Sequence, residues 1–295
     1  MMNSILEALQ ALKEVDFKDI QKLGFHFQPK DYYSPLNDCD FLDSHRDLWV
    51  EPFEPLDIEW DRAGQLEVAN EISAYVPELA DVPHNPTGEP GVYCWNNSFW
   101  NNADALVQYG LIRSRQPKRI TEIGCGWSSL LLAKALRKNE TPCAVTQIEP
   151  FPNPEIINSV PADWVHYKCI LQRAPIEVFG QLEAGDFLLY DGSHCSKVAS
   201  DVNWFFFRIL PRIKSGVLIH LHDILFPYEY PEEWIFKRGQ TWNEQYVLQA
   251  FLMNNQQYKI VIANRYLFTH CEKELDALYQ GIQPSHGVSF WMQKV

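Results

Sequence analysis

Apolar and polar residues follow two different patterns along this chain, one before and one after about residue 91. In the first part apolar residues recur at helical spacing, as at Ile5, Leu9 and Leu12 and again over 65–76. In the second part short apolar runs alternate with amphipathic stretches. Alternating strands and helices are typical of a parallel sheet with helices on both faces.

The apolar runs predict a mostly parallel sheet of seven strands, which we place near 118–123, 143–149, 164–170, 186–191, 215–222, 258–263 and 288–293. A helix is predicted from Ser196 to Leu210, with its apolar residues on one face. A Pro/Gly-rich loop over 77–90 precedes this pattern. We therefore expect an N-terminal helical cap or lid over 1–90 and a sheet domain over 91–295.

The first predicted strand leads into a turn with two glycines. Residues 120–129 read Ile-Thr-Glu-Ile-Gly-Cys-Gly-Trp-Ser-Ser, so Gly124 and Gly126 stand between an apolar run and a helix. Because glycine has no Cβ atom, a nucleotide-sized ligand can approach the backbone and the helix N-terminus here. A dinucleotide fingerprint needs a third glycine where this chain has Ser129. The turn therefore lacks a dedicated pyrophosphate site.

The second predicted strand ends at an acid, Glu149, whose carboxylate can accept hydrogen bonds from two ribose hydroxyls. Glu-x-Gly-x-Gly followed by such an acid resembles the cofactor site of class I S-adenosylmethionine-dependent methyltransferases. The resemblance implies a Rossmann-like class I methyltransferase fold. It also implies that Glu122 belongs to the cofactor site, that Gly124 and Gly126 pass the amino-acid part of the cofactor, and that Glu149 holds its ribose.

Four further residues are candidates for cofactor contacts. Gln172 follows the third strand, where the adenine is expected, and Asp191 could hold the methionine ammonium group. Trp127 could flank the methionine part or only pack, and Ser128 could contact the ligand or only cap the helix.

Two acid/histidine pairs follow the fourth and fifth predicted strands. Residues 187–190 lead into Asp191-Gly-Ser-His194, and residues 216–221 lead into His222-Asp223. The carboxyl ends of parallel strands meet at one edge of a sheet, which is where ligands bind in open α/β folds. We expect both pairs to face one crevice.

The arrangement of these pairs resembles a methyltransferase family often encoded beside glycan and natural-product biosynthesis genes. The likeness covers about 91–293 and includes Asn-Asn-Ser-Phe at 96–99 with Asp104, Phe-Pro-Tyr-Glu-Tyr-Pro at 226–231 and Trp-Asn-Glu-Gln-Tyr at 242–246. It implies methylation of an oxygen on a sugar or another small molecule.

Proton transfer from a hydroxyl acceptor requires a base, and histidine has a suitable ordinary pKa. Both His194 and His222 are candidates, with Asp191 or Asp223 fixing the tautomer, and we prefer His194 because its loop is free to face the acceptor. Some related sugar methyltransferases hold a divalent cation with three acids, but here His222 replaces one of them. A site of Asp191, His222 and Asp223 would suit softer metals, and metal dependence is not favoured.

Aromatic and polar residues near the carboxyl edge predict an acceptor pocket suited to a sugar or phenolic ring. The helix beginning near residue 242 carries one apolar stripe for the core and a second, polar-aromatic face. The predicted substrate contacts are His26, Tyr33, Tyr228, Trp242 and Tyr246, of which His26 and Tyr33 could equally pack against the sheet.

Composition limits the expected partners and cellular location of the protein. A net charge of −13 disfavours nucleic acid as a partner. No apolar run reaches the ~20 residues of a membrane span, and the N-terminus has no signal-type segment. Seven cysteines without a C-x-x-C pair indicate reduced thiols. We expect a cytoplasmic enzyme with a small-molecule acceptor, with a homo-oligomer left open, and as alternatives a nicotinamide-dependent enzyme or a non-catalytic cofactor-binding protein.

Overall fold

The computed structural model describes residues 2–28, 30–280, 282 and 286–295. The chain divides into two compact units. Unit 1 comprises Met1–Val50 and Tyr230–Thr241, and unit 2 comprises Glu51–Glu229 and Trp242–Val295. This division differs from the expected boundary near residue 90, because residues 51–90 belong with the sheet.

Unit 1 contains three short helices, α1 (Met2–Leu12), α2 (Phe17–Lys22) and α3 (Cys39–Ser44). The later segment joins the earlier one through Arg46, whose two guanidinium nitrogens donate to the carboxylate of Glu232 at 3.0 and 2.8 Å. The rings of Trp49 and Phe236 also lie 5.9 Å apart. Residues from 1–50 and 230–241 therefore form one unit although they are distant in sequence.

Unit 2 is built on a seven-stranded sheet in the order β3-β2-β1-β4-β5-β7-β6, in which β7 is antiparallel to its neighbours. Its strands are β1 (Arg119–Ile123), β2 (Ala144–Ile148), β3 (Val165–Tyr167), β4 (Phe187–Tyr190), β5 (Leu218–Leu221), β6 (Tyr258–Ala263) and β7 (Phe290–Lys294). All seven predicted strands are present, with β3 shorter than expected. The mostly parallel sheet is confirmed.

Eight helices of unit 2 pack around this sheet or connect its strands: α4 (Arg62–Ser73), α5 (Asn102–Arg115), α6 (Trp127–Leu136), α7 (Pro154–Ile157), α8 (Glu177–Gly180), α9 (Asp201–Trp204), α10 (Glu244–Leu252) and α11 (Asn264–Leu278). The predicted helix over 196–210 begins only at residue 201. The Ser200 hydroxyl accepts from the Asn203 N–H and caps it there, and π-helical turns continue over 205–209.

Buried apolar residues form two clusters that lie on opposite faces of the sheet. One contains side chains of α4, α5, α6 and α11, and the other contains side chains of α9 and α10. The central strands β4 and β5 are buried along their full length, as expected for strands covered on both faces. Within the described residues, none of the helices has the length and apolar character needed to cross a bilayer.

Candidate active site

The two glycines of the turn after β1 have different roles. Gly124 allows the backbone conformation of the turn, and Gly126 leaves open space beside it. Gly124 has a φ of +81°, and a Cβ atom there would overlap the carbonyl oxygen of Asp191. A Cβ atom on Gly126 would have no neighbour within 4 Å. Gly124 therefore permits the close approach of β1 and β4, whereas Gly126 leaves room beside the start of α6.

Glu122, the acid of the motif, lies inside the protein. Only 1% of it is exposed, and its carboxylate accepts hydrogen bonds from the hydroxyls of Ser128 and Ser129, both at 2.8 Å, and from the Gln147 amide. Burial raises the pKa of Glu122 to about 6, although these hydrogen bonds favour the charged form. Glu122 on β1 is thus hydrogen-bonded to the start of α6, through Ser128 and Ser129, and to β2, through Gln147.

Glu149 lies against the glycine turn from the next strand. Its carboxylate accepts hydrogen bonds from the backbone N–H groups of Cys125, at 3.3 Å, and Phe151, at 2.7 Å. The side chain is only partly buried. Glu149 thus lies beside the glycine turn with part of its surface accessible.

Two adjoining cavities of about 340 and 320 Å³ follow this edge, and both are lined by Gly124, Glu149, Asp191 and Gly192. The first is also lined by Phe99, Trp100, Cys125, Gly126, Trp127, Ser128, Asn153 and Ile156. The second is also lined by Ile123, Ile148, Pro150, Phe151, Ile170, Leu171, Gln172, Ser193 and Asp201. Of the predicted cofactor residues, all but Glu122 line this cleft, although the Ser128 hydroxyl donates to Glu122 and the Gln172 amide to the Ala199 carbonyl.

The acid/histidine group forms at the end of the cleft, where β4 and β5 lie side by side. His194 Nε2 lies 3.3 Å from Asp191 Oδ1 and 3.4 Å from Asp223 Oδ2. Both His194 and Asp223 have positive φ angles, 57° and 55°, in a region of backbone conformation that residues other than glycine seldom occupy. Such backbone strain is often found at functional sites and requires support from surrounding contacts.

That support comes from the start of α10. Glu244 is buried, and its carboxylate accepts a hydrogen bond from His194 Nδ1 at 2.7 Å. The backbone N–H groups of Asn243 and Glu244 donate to the His194 carbonyl at 3.0 and 3.2 Å. The next residue, Gln245, accepts from the Leu225 N–H and donates to the Tyr228 carbonyl. Consecutive residues of α10 therefore hold the His194 loop and the loop after Asp223.

The charges of this group depend on one another. Burial alone would lower the pKa of His194, but the hydrogen bonds with Asp191 and Glu244 raise it well above 6.5. Burial would raise the pKa of Asp191, but the bond from His194 lowers it to about 2. Burial raises the pKa values of Asp223 and Glu244. These contacts favour the charged form of His194, whereas its predicted role as a base needs the neutral ring.

His222 occupies a different environment from His194. Its ring stacks on Trp100, with ring centres 4.3 Å apart, and its Nε2 lies 4.0 Å from Asp223 Oδ1. His220 lies on the same face of β5, with its ring 5.7 Å from that of His222, and burial lowers its pKa well below 6.5. His194 therefore lies between Asp191 and Asp223, whereas His222 stacks on Trp100 and approaches only Asp223.

Ligand atoms of Asp191, His194 and Asp223 all lie within 4.8 Å of one another, so this group could hold a divalent cation. The sequence suggested His222 as the nitrogen ligand, but the geometry offers His194. Glu244 would then orient the ligating ring from its other nitrogen. The ring would have to give up its proton first.

The predicted substrate residues fall into two groups. Near the acid/histidine group, the ring centre of Trp242 lies 4.3 Å from that of His194, and the Tyr246 hydroxyl donates to Glu229 at 2.5 Å. Tyr228 follows in the loop held by Gln245. His26 and Tyr33 belong to unit 1, where the Tyr33 side chain is exposed and His26 contacts Gln21.

No role was predicted for Glu244, although it lies in the Trp-Asn-Glu-Gln-Tyr motif over 242–246. An acid on the buried side of an amphipathic helix was the available signal, since a buried carboxylate needs a partner. The partner, His194, is 50 residues away in the chain. Sequence spacing could not reveal that contact.

Comparison with known proteins finds a similarity in the central part of unit 2. Residues 121–224 match a family model described as a methyltransferase domain. This segment includes the glycine turn, Glu149 and both acid/histidine pairs. An uncharacterized protein of Archaeoglobus fulgidus is 29% identical over 138 residues, which are 45% of this chain and 62% of that protein. The match thus spans less than two thirds of the relative.

Solved structures with related backbones are distant. An SAH-bound methyltransferase of Podospora anserina is 11% identical, with a TM-score of 0.44, and the alignment covers 92% of this chain and 99% of that one. An O-methyltransferase of Bacillus cereus in complex with SAH is also 11% identical, with a TM-score of 0.39 and coverage of 87% and 96%. The fold assignment therefore rests on the sheet order and the family match.

Proposed function

We propose that the protein transfers the methyl group of S-adenosylmethionine to a hydroxyl oxygen of a small molecule, because residues 121–224 match a methyltransferase domain and the sheet order fits the class I fold. The observation that carries this proposal is the continuous cleft. Asp191 lines both of its cavities together with Glu149 and Gly124, and His194, which lies 3.3 Å from Asp191, connects it to Asp223. A donor site and a proton-accepting site thus adjoin.

The residues of the cleft fit the donor in three respects. Glu149 offers a carboxylate to the ribose, and the open space beside Gly126 admits the amino-acid part. Asp191 offers a carboxylate with a low pKa, and therefore a negative charge, to the methionine ammonium group. The cavity containing Phe151, Ile170 and Gln172 offers an apolar and amide-lined place for the adenine.

Methyl transfer is an in-line displacement in which the acceptor oxygen forms a bond to the methyl carbon as the sulfur leaves. The bound donor supplies an electrophilic methyl group. In our proposal His194 Nε2, once neutral, takes the hydroxyl proton as that oxygen attacks. Glu244 holds the ring by Nδ1, and Asp191 and Asp223 stabilise the imidazolium that forms.

Calorimetric titration with S-adenosylhomocysteine and separately with NAD tests the cofactor. We expect the first to bind and the second not to bind, with Glu149→Ala weakening binding about tenfold or more through lost charged hydrogen bonds. Glu155→Ala removes an exposed acid near the cleft and serves as the control. Tight NAD binding, or equal S-adenosylhomocysteine affinity in both variants, would contradict the proposal.

We also propose a small-molecule acceptor and a cytoplasmic location, with no nucleic-acid partner. The net charge of −13 and the free state of all seven cysteines support this setting. A panel of hydroxylated sugars and phenols, assayed for transfer of a labelled methyl group, tests the acceptor class. Labelling confined to added nucleic acid would contradict it.

A further inference from the structure

Arg265 is a half-buried cation that has no acid partner among the described residues. It follows β6 as the second residue of α11, and its Nε atom is buried without a hydrogen-bond partner among the residues that the structure describes. Arg113, which is also partly buried, donates to both carboxylate oxygens of Glu78 at 2.8 and 3.0 Å. The comparison shows how this chain normally compensates a half-buried guanidinium.

The surroundings of Arg265 offer no free anion. Its guanidinium lies over the ring of Tyr228, 5.8 Å from the ring centre. Asp104 lies in the neighbourhood, but its carboxylate already accepts hydrogen bonds from Asn264 and from the backbone N–H groups of Val288 and Ser289. Burial lowers the pKa of Arg265. Burying a charge is costly unless a counter-charge is supplied, so an external anion would stabilise this site.

Arg265 and Asp223 lie at the same edge of the sheet, two strands apart. β5, which precedes Asp223, and β6, which precedes Arg265, end at the same edge with β7 between them. Two strand spacings amount to roughly 10 Å. Tyr228 lies in the loop that follows Asp223, and its ring contacts the Arg265 guanidinium.

We propose that Arg265 binds an anionic group, phosphate or carboxylate, of an acceptor whose reacting hydroxyl lies at His194 and Asp223. The acceptor is then a small hydroxylated molecule that also carries a phosphate or carboxylate group. The inference rests on the proposed function for the assignment of the anion to an acceptor. Planar hydrogen bonds from a guanidinium suit both anions.

Inorganic phosphate and acetate serve as probes of the anion site. The melting temperature of the full chain is measured against each ion at constant ionic strength, for the wild type, Arg265→Gln and Arg62→Gln. Arg62 is an exposed arginine that donates to Tyr266 of α11, so its loss removes a nearby positive charge without touching Arg265. We expect a saturable stabilisation in the wild type and Arg62→Gln that is at least about tenfold weaker in Arg265→Gln. The same response in all three proteins would overturn the proposal.

Titration with S-adenosylhomocysteine in the same proteins separates this inference from the proposed function. We expect equal affinity in all three, because Arg265 does not line the donor cleft. Paired acceptors with and without a phosphate or carboxylate are then compared. A KM advantage of the charged members that disappears in Arg265→Gln supports the assignment. An unchanged advantage overturns it, whereas absent S-adenosylhomocysteine binding in the wild type overturns the proposed function itself.

Discussion

The donor half and the acid/histidine half of the cleft are built from different kinds of contact. In the donor half, Glu122 contacts Ser128 and Ser129, six and seven residues along the chain. In the other half, His194 depends on Glu244, 50 residues away. The first half combines a local turn of fixed spacing with contacts between neighbouring strands. The second exists only when distant loops and helices have packed, so the two halves should respond differently to mutation.

Replacing His194 by Gln should produce the largest separation between the halves. We expect kcat to fall by ~10²–10⁴ because a positioned base contributes that much. The affinity for S-adenosylhomocysteine should stay unchanged, because His194 does not line the donor cavities. Steady-state kinetics and calorimetry check the two quantities. A parallel loss of affinity would show that the halves are coupled.

Gly124→Ala and Gly126→Ala form a matched pair within the donor half. At Gly124 the added methyl group meets both a positive φ and the Asp191 carbonyl, so the free energy of unfolding should fall by about 1–3 kcal/mol or more. At Gly126 the methyl group enters open space, so stability should be retained while S-adenosylhomocysteine binds less well. Denaturant unfolding and calorimetry measure the two effects. Equal effects of both variants would refute this division of roles.

Glu244→Gln should weaken the acid/histidine half and leave the donor half intact. We expect kcat to fall about tenfold or more, because a charged hydrogen bond to His194 is lost. The wild-type rate should rise with pH through the raised pKa of His194, since the base must lose its proton. Removing the Glu244 charge lowers that pKa, so the rise should move to lower pH.

The control for this variant is Glu272→Gln, an exposed acid on α11. NMR titration of the His194 ring should show the same displacement as the rate profile. If kcat falls but neither profile moves, Glu244 only stabilises the fold and does not set the charge of His194.

Glu122→Gln should have the smallest effect, on the pH dependence of stability. The pKa of Glu122 is about 6 in the folded protein against the usual 4.5, so the unfolded chain ionises first as the pH rises. Its contribution to the free energy of unfolding should fall by up to about 2 kcal/mol between pH 4.5 and 6. Unfolding curves across this range should be flatter in the variant. Identical slopes in both proteins would count against the raised pKa.

Much of the fold could be predicted from the sequence because its signals are local. Seven apolar runs gave seven strands, and the glycine turn lies where the spacing placed it. The late start of α9 was missed because Ser200 caps the helix while residues 192–199 form the loop that carries His194. An apolar stripe alone did not reveal that loop.

The acid/histidine group was predictable only in part. The ends of β4 and β5 correctly indicated that Asp191 and Asp223 would meet. The sequence could not decide between His194 and His222, because the choice depends on the backbone of the loop and on α10. The prediction for His194 also assumed the ordinary pKa of a histidine side chain. Three surrounding carboxylates change that charge, and two of them come from elsewhere in the chain.

The division between the units has a consequence for truncation. Unit 1 is made of two segments of the chain, residues 1–50 and residues 230–241. The second segment is an insertion into unit 2 between Glu229 and Trp242. Removing the N-terminal 50 residues would leave Glu232 without Arg46 and Phe236 without Trp49. The N-terminal region is therefore not a detachable extension. A shortened protein needs a second cut, with residues 229 and 242 rejoined by a short linker.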